Sequence, residues 1–231
     1  MQLYVLNLAN RNDRWASVER QSEKYGLSFN RIDAVDMASM DARYCEFMPP
    51  GVVATWKSHQ LAFSRLLDSS DNFCLIFEDD FVLNKKSTRL IQKISHQSHG
   101  FDFLQLGFLV TSSFEKLDVS FHNFVDLSKK FLYAVSVRYG NFSFYSKKLS
   151  VREQANVPTA IVLNDVRAGG HAYMVSRKFA RAGLEMNNPV FYSTDGVYMA
   201  LGKSRAFKMG RFRKSLISQS DSPTSVLDRF I

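Results

Sequence analysis

The hydrophobic positions of this chain form short, mostly apolar runs that alternate with longer amphipathic segments. The runs lie at residues 3–8, 29–35, 73–77 and 101–110. Short runs rich in branched and aromatic side chains are typical of strands. The segments predicted to be helices, from apolar spacing or capping residues, lie at 14–25, 53–68 and 86–97. The repeated order strand, helix, strand predicts an α/β protein with a Rossmann-type sheet flanked by helices.

The second half of the chain is regular only in part. A short apolar strand follows Gly169 and Gly170, and Ser176 at its end is expected to cap a helix over residues 177–186. Another short helix is expected to begin at residues 193–195 and to continue through Leu201. The segment 111–168 has scattered aromatic residues and is expected to hold short strands and long loops, which would form an acceptor pocket or lid. The tail from residue 215 onward is expected to be a loop.

Composition narrows the class of protein. The chain has 231 residues, 45% of them hydrophobic, and contains 20 phenylalanines, which indicates one globular domain. No apolar run approaches the roughly 20 residues of a membrane span, and the first residues lack the basic start of a signal peptide. Cys45 and Cys74 suggest no disulfide framework, which favours a reducing cytoplasm. The net charge of +8 implies an anionic partner, such as nucleic acid, an anionic membrane surface or an acidic glycolipid.

Three consecutive carboxylates end the apolar run at residues 73–77. Side chains alternate along a strand, so Glu78 and Asp80 are expected on one face and Asp79 on the other. Two carboxylates at the carboxyl end of a buried strand form half of a site for a divalent cation that prefers oxygen ligands. The alternative is that the three acids only end the strand and begin a solvated turn.

Other candidates for chemistry lie at the ends of predicted elements. Arg11 and Arg14 follow the first strand, where they could bind phosphate or stack on a base, or could be ordinary solvated side chains. Neither G-x-G-x-x-G nor a P-loop is present, so a nucleotide would be held without a glycine-rich cradle. His59 could donate to a ligand or be a helix histidine with a structural partner. Asp195 could be a base or ligand anchor, or a plain helix cap.

Taken in order along the chain, these segments resemble glycosyltransferase family 25, the bacterial lipooligosaccharide glycosyltransferases, which also include collagen galactosyltransferases. The matching residues are Asn7, Leu8, Arg11, Asp13 and Arg14; Ala34, Val35 and Asp36; Ser58 and His59; Ile76 to Asp80; Gly170 to Ser176; Asp195; and Gln219 and Ser225. The resemblance extends from residue 3 to about residue 225 and is weakest over 111–168. Lys57 departs from the family, which more often has a small residue before Ser-His.

The resemblance implies a GT-A-like fold with a mixed sheet in a single domain. It also implies a UDP-sugar donor and a divalent cation, usually Mn²⁺, with Mg²⁺ as the substitute. Residues 1–110 would then form the half that binds the nucleotide sugar, and residues 111–231 the half that binds the acceptor. In such folds an acidic motif at the end of a strand binds the cation. The motif here is E-D-D, and the resemblance leaves open which two of its three carboxylates bind the cation. The alternation along the strand favours Glu78 and Asp80 as the metal ligands, with Asp79 facing the ribose or the sugar.

The resemblance also assigns the remaining site residues. Asn7, Leu8, Arg11 and Arg14 are expected to contact the nucleotide. Lys57 and His59 are expected near the donor. Asp195 is the first candidate for the base that deprotonates the acceptor, and Asp165 a distant second.

The activity that the resemblance implies is inverting transfer of galactose from UDP-galactose to a lipooligosaccharide or lipopolysaccharide sugar. Glucosyl or N-acetylhexosaminyl transfer is the nearest alternative, and hydrolysis of nucleotide sugars would use the same donor site. A nucleic-acid-binding protein is the alternative from another class, because residues 202–214 carry six basic side chains and no acid. That run is instead expected to meet a phosphorylated lipid acceptor. The protein would then be cytoplasmic and peripheral at the inner face of the bacterial inner membrane, with no nucleic acid as partner.

Overall fold

The computed structural model describes residues 1–40, 48–96, 100–108, 161–212 and 215–220. The chain divides into two units, residues 1–108 with 149–231, and residues 109–148. The second unit lies outside the described residues, as do Cys45, Ser225 and most of the segment 111–168. The predicted single domain and its donor and acceptor halves therefore stay predictions.

Helices and strands alternate through the described part of the chain. The first half contains β1 (Gln2–Leu8), α1 (Asn12–Tyr25), β2 (Asn30–Ala34), a 3₁₀ turn (Met37–Ser39), α2 (Pro50–Asp68), β3 (Phe73–Glu78), β4 (Phe81–Val82), α3 (Lys85–His96) and β5 (Phe103–Gly107). The second half contains β6 (Ile161–Leu163), β7 (Ala172–Ser176), α4 (Arg177–Met186), α5 (Thr194–Lys203), β8 (Met209–Phe212) and β9 (Ser218–Gln219). The predicted early strands and helices are confirmed. So are the caps of α4 and α5, because Ser176 Oγ accepts from Phe179 N and Ser193 Oγ from Gly196 N.

Seven strands form one mixed sheet in the order β2-β1-β3-β7-β5-β8-β6. Strand β1 runs parallel to both β2 and β3, whereas β7 is antiparallel to its neighbours β3 and β5. A separate pair, β4 with β9, is antiparallel. The predicted α/β class, with a mixed sheet flanked by helices, is confirmed. Because β1 and β3 are parallel neighbours, their carboxyl ends meet at one edge of the sheet.

Helices cover both faces of this sheet, because successive side chains of each strand point to opposite sides. On one face Val5, Leu75 and Phe77 pack with α1 and α3. On the other face Tyr4 and Ile76 pack with α2, α4 and α5. The central strands are therefore mostly apolar on both faces, as their continuous hydrophobic runs predict, with Asn7 in β1 and Gln105 in β5 as buried polar residues.

The prediction that the tail is a loop is wrong in part, because Ser218–Gln219 form β9. The basic run 202–214 also contains a strand, β8. In β8 the side chain of Arg211 is 7% exposed and pairs with Asp165 at 2.6 Å. These strands form through pairing with distant residues, which local composition does not reveal.

Candidate active site

The acidic triplet lies where β3 leaves the sheet. Glu78 is the last residue of β3, and its main-chain N–H donates to the carbonyl oxygen of His171, the residue before β7, at 2.9 Å. Asp79 is 8% exposed, while Glu78 and Asp80 are partly exposed. The chain then turns directly into β4 at Phe81. The three carboxylates are thus held at the edge of the sheet by the strands on either side of the turn.

Both carboxylate oxygens of Asp79 accept hydrogen bonds from side chains of β1 and α1. Asn7 Nδ2 donates to Asp79 Oδ2 at 2.7 Å, and Arg14 Nη1 donates to Asp79 Oδ1 at 2.5 Å. Asn7 is itself fully buried, and its amide also donates to the carbonyl oxygen of Arg11 at 3.2 Å. Asn7 and Arg14 were predicted to contact a nucleotide, and Asp79 a ribose or sugar. In the structure their polar atoms bind one another and fix the turn that carries the triplet.

Glu78 and Asp80 share a different partner. Gln219 Nε2 lies 3.4 Å from Glu78 Oε2, and 3.2 and 3.4 Å from the two carboxylate oxygens of Asp80. Arg14 Nη1 is 3.8 Å from Asp80 Oδ2. One amide thus reaches both carboxylates, so they lie on the same side of the turn, whereas Asp79 is held by the end of β1 and by α1.

The proton affinity of Glu78 reflects this crowding. Burial, followed by the charges of Asp80, Asp195 and Asp79, raises the pKa of Glu78 from 4.5 to about 8, and Arg14 only partly opposes the shift. Near neutral pH the side chain therefore favours the protonated form when no cation is bound. A divalent cation would reverse that preference by supplying the missing positive charge.

The donor set fits a hard divalent cation that also takes oxygens from its substrate. Carboxylate oxygens are the ligands that Mn²⁺ and Mg²⁺ prefer. No group of three or more His, Cys, Asp or Glu side chains that could hold a metal occurs among the described residues. The two carboxylates are therefore half a site, as Mg²⁺ has when phosphate oxygens and waters complete its coordination.

We expect the raised pKa of Glu78 to make the stability of the metal-free protein depend on pH. The unfolded chain releases this proton near pH 4.5, whereas the folded protein keeps it to about pH 8. Between these values the folded state binds more protons, so the free energy of unfolding falls as pH rises. Glu78→Gln removes this loss, so with EDTA its stability relative to the parent should increase from pH 5 to pH 8 by about 1.4 kcal/mol or more, the equivalent of one pKa unit.

Urea unfolding at several pH values measures this effect. Glu185→Gln is the matched control, because Glu185 is exposed on α4. Its stability relative to the parent should not change over this range. A flat difference for Glu78→Gln as well would show that Glu78 is ionised in the folded protein throughout.

Asp195 lies in the first turn of α5, as predicted, and its carboxylate is oriented by main-chain donors. Gly169 N donates to Asp195 Oδ2 at 2.8 Å, and Gly170 N donates to Asp195 Oδ1 at 3.2 Å. A Cβ atom on Gly170 would lie 3.4 Å from Asp195 Oδ1 and 3.3 Å from Tyr198, so glycine lets this backbone approach closely. The charge of Asp195 is also one of those that raise the pKa of Glu78. The structure thus brings Asp195 and the triplet to the same edge of the sheet.

His59 is buried in the core, whereas Lys57 is partly exposed. His59 is 1% exposed, and its Nδ1 lies 2.6 Å from the hydroxyl of Tyr173. Burial lowers the pKa of His59 to about 3, so the ring is uncharged. The expectation that both residues lie near the donor stays a prediction. Lys57 lines an open depression with Val35 and Leu61, and no residue of the triplet lines it.

Arg11 and Leu8 lie at the turn after β1. Arg11 forms an ion pair with Asp13 and lowers the pKa of that carboxyl to about 2. The carbonyl oxygen of Leu8 accepts from Arg11 N at 2.9 Å and from Arg31 Nη2 at 3.3 Å. Both residues thus shape the turn that precedes α1.

The two polar residues that the sequence left without a role are Gln219 and His171. Gln219 is on β9, in a tail that was predicted to be a loop. His171 is 2% exposed, and its Nε2 lies 2.8 Å from the carbonyl oxygen of Ile217. The resemblance included Gln219, so the order of the matching motifs was the available signal for it. His171 is at an unspecified position of the G-x-A-Y-x-x-S motif, which gave no signal for it.

The family model of glycosyltransferase family 25 (LPS biosynthesis protein) matches residues 1–198. No curated protein is similar to the chain.

Among solved structures, the chain is similar to a glycosyltransferase involved in the glycosylation of the major capsid of PBCV-1, with 10% identity over 99% of this chain and 97% of that one and a TM-score of 0.45. It is also similar to A197 from STIV, with 11% identity over 94% and 83% of the chains and a TM-score of 0.40. A putative glucose-1-phosphate thymidylyltransferase from Bacillus anthracis matches with 10% identity over 99% and 76% and a TM-score of 0.44. These likenesses are too distant to bear on function.

Proposed function

The chain belongs to glycosyltransferase family 25, and from this premise we propose that it is a metal-dependent inverting hexosyltransferase. The proposed donor is UDP-galactose, and the proposed acceptor is a saccharide of lipooligosaccharide or lipopolysaccharide. The observation that carries the proposal is the meeting of Glu78, Asp80 and Asp195 at the carboxyl edge of the sheet. Glu78 N donates to the carbonyl oxygen of His171, and Gly170 N, one residue earlier, donates to Asp195 Oδ1. Burial, followed by the charges of Asp80 and Asp195, raises the pKa of Glu78. A polar edge of this kind is where α/β folds bind nucleotides.

Glu78 and Asp80 are the residues that would hold the cation, Mn²⁺ or Mg²⁺. When bound, the cation would bridge the diphosphate and offset the negative charge that develops on the leaving group. Asp79 supports this role from the other side of the turn, since Asn7 and Arg14 occupy its two oxygens. Asn7 and Arg14 therefore act as positioning residues, and Arg14 also supplies positive charge 3.8 Å from Asp80.

Asp195 is the proposed general base. An ionised carboxylate can accept about four hydrogen bonds, and main-chain N–H groups of Gly169 and Gly170 take only two of these places. The remaining lone pairs can accept the proton of the acceptor hydroxyl. Attack from the face of the sugar opposite the leaving diphosphate then inverts the anomeric centre. Asp165 is less suited, because its Oδ2 accepts from both Arg211 Nε and Nη2.

The acceptor side of the proposal rests on charge. The net charge is +8, and Lys203 at the end of α5 and Arg205 just after it are exposed. No helix in the described part of the chain is long and apolar enough to cross a membrane. We therefore propose peripheral contact with the anionic inner face of the bacterial inner membrane, where a phosphorylated lipid acceptor would be met. Arg211, which pairs with Asp165 inside the sheet, is not part of that surface.

A transfer assay with a panel of UDP-sugars tests the proposal. We expect sugar to be transferred from UDP-galactose to a lipooligosaccharide acceptor in the presence of Mn²⁺, with inverted anomeric configuration, and transfer to stop with EDTA. Preference for UDP-glucose or a UDP-N-acetylhexosamine would revise the proposed donor and leave the rest of the proposal unchanged. Release of free sugar at the same rate without acceptor would indicate a hydrolase. Salt-sensitive binding to random oligonucleotides without UDP binding would contradict the transferase.

A further inference from the structure

Gln219 is presented to the acidic triplet by a short strand that is fixed on both sides. In the β4–β9 pair, Gln219 lies opposite Phe81 and Ser218 opposite Val82. The next residue continues the contact, because Ser220 N donates to the carbonyl oxygen of Asp80 at 2.7 Å. The backbone of β9 is therefore bonded to the same turn that carries the carboxylates.

The residues before Gln219 are anchored in the core. Ile217 is 1% exposed, and its carbonyl oxygen accepts from Ser215 Oγ at 2.8 Å and lies 2.8 Å from His171 Nε2. Leu216 N donates to the carbonyl oxygen of Leu106 on β5 at 2.9 Å. These contacts fix the Cα of Gln219 relative to the sheet. The position of its backbone therefore directs the side chain toward the triplet.

The amide of Gln219 makes three long contacts. Its Nε2 lies 3.2 to 3.4 Å from oxygens of Glu78 and Asp80. Hydrogen bonds to ionised groups are usually about 2.7 to 2.9 Å long, and an amide has only two N–H donors. The contact is therefore a loose bridge between two neighbouring carboxyl groups. It partly replaces a positive charge that the described side chains around Glu78 and Asp80 supply only through Arg14.

A glutamine amide can change from a hydrogen-bond donor to an acceptor by rotating about χ3, a torsion whose distribution is broad and roughly two-fold. This rotation brings Oε1 toward the position that Nε2 holds. Without a cation this arrangement sets an oxygen against two carboxylates and is unfavourable. With a divalent cation it completes three oxygen ligands of the kind that Mn²⁺ and Mg²⁺ take from proteins.

We propose that Gln219 is the third protein ligand of the cation, and that its amide turns from an N–H bridge between Glu78 and Asp80 to an oxygen ligand when the cation binds. The inference rests on the proposed function, because it needs the cation that the carboxylates would hold. It makes β9 part of the donor site, although 138 residues separate Gln219 from Phe81, its partner in β4.

Direct binding of Mn²⁺ tests this assignment without any turnover. Electron paramagnetic resonance of free Mn²⁺ measures the affinity for the folded protein in the presence of UDP and without acceptor. Gln219→Ala is expected to weaken Mn²⁺ binding at least about tenfold. Gln219→Glu restores an oxygen ligand and is expected to bind Mn²⁺ at least as tightly as the parent at pH 8. Ser218→Ala is the matched control, since Ser218 is exposed on the same strand, and it should bind as the parent does.

The opposite result for Gln219→Ala would overturn the proposal. If Gln219 only bridged the carboxylates, its N–H groups would compete with the cation, and removing them would leave Mn²⁺ affinity unchanged or raise it. Circular dichroism and urea unfolding of each variant identify any that has lost its fold. If Gln219→Ala has lost it, Gln219→Met decides, because methionine keeps the length of the side chain but offers the cation no oxygen: a ligand role predicts weaker Mn²⁺ binding, and a bridging role predicts unchanged or tighter binding. A parent protein that binds no Mn²⁺ with UDP would contradict the metal dependence of the proposed function itself, together with this inference.

Discussion

Asp195→Asn is expected to lower the rate of sugar transfer by about 10²- to 10⁴-fold, the usual contribution of a general base. The asparagine side chain has nearly the same shape but cannot take a proton from the acceptor hydroxyl. Binding of the donor should survive, because the proposed donor ligands Glu78 and Asp80 are unchanged. Initial rates with UDP-galactose and acceptor, together with the Kd of UDP in the presence of Mn²⁺, measure the two effects separately.

The contacts of Asp195 also predict a smaller cost in stability. Gly169 N and Gly170 N donate to different oxygens of the carboxylate, and asparagine offers only one oxygen. One main-chain N–H would lose its acceptor, which costs about 1 to 3 kcal/mol when the group is buried. Urea unfolding should show this loss while the protein remains folded at assay temperature.

Asp165→Asn is the control for the base. Asp165 was the second candidate from the sequence, and in the structure it is engaged with Arg211. We expect Asp165→Asn to transfer sugar at nearly the parental rate. Near-normal transfer by Asp195→Asn would rule out Asp195 as the base, and loss of transfer in Asp165→Asn with retained stability would favour Asp165 instead.

The sequence was sufficient wherever a structural signal is local. The start of α4 follows from Ser176, whose hydroxyl accepts from Phe179 N, and the end of α1 follows from Gly26, which has the left-handed φ of 62°. Asp79 also has different partners from Glu78 and Asp80, as the alternation of side chains predicts, although β3 ends at Glu78 and the two aspartates lie in the turn after it. Such features depend on residues within one turn or one strand.

The parts of the site that depend on distant residues could not be predicted from local pattern. His59 is on a helix face that looks able to meet a ligand, but Tyr173, 114 residues later, covers its Nδ1. Asn7 is near the end of the first strand and Arg14 follows it, as nucleotide-binding residues would, yet both donate hydrogen bonds to Asp79. Each of these polar groups bonds to a residue that is distant in sequence and comes near only in the folded protein. Buried polar groups need such hydrogen-bond partners.

Strand β9 also depends on residues distant in sequence, so local pattern could not predict it. Residues 215–220 are polar and were predicted to be a loop, because two-residue strands leave no periodicity to detect. Their order comes from one buried side chain, Ile217, and from main-chain bonds to Leu106 and Asp80. The ordered set of family motifs included Gln219, but its contact with the two carboxylates required the pairing of β9 with β4.

Asp80→Ala is expected to abolish Mn²⁺-dependent transfer, with a rate loss of about 10²- to 10³-fold. Charge stabilisation by a bound cation is worth several kcal/mol, and each 1.36 kcal/mol is a factor of ten in rate. The variant should also bind Mn²⁺ much more weakly in the presence of UDP. Asp33→Ala is the control, because the Asp33 carboxylate is 76% exposed on β2, and it should keep both properties.

Stability distinguishes a lost ligand from a damaged fold in this experiment. Asp80 is the charge that contributes most, after burial, to the raised pKa of Glu78. Removing it relieves repulsion within the triplet, so with EDTA at pH 8 Asp80→Ala should unfold at the same urea concentration as the parent or at a higher one. If Asp80 serves to bind the cation, the variant should be inactive but at least as stable as the parent. Undiminished transfer by a stable Asp80→Ala would remove the metal role from Asp80, and a strong loss of stability would assign this carboxylate to the fold.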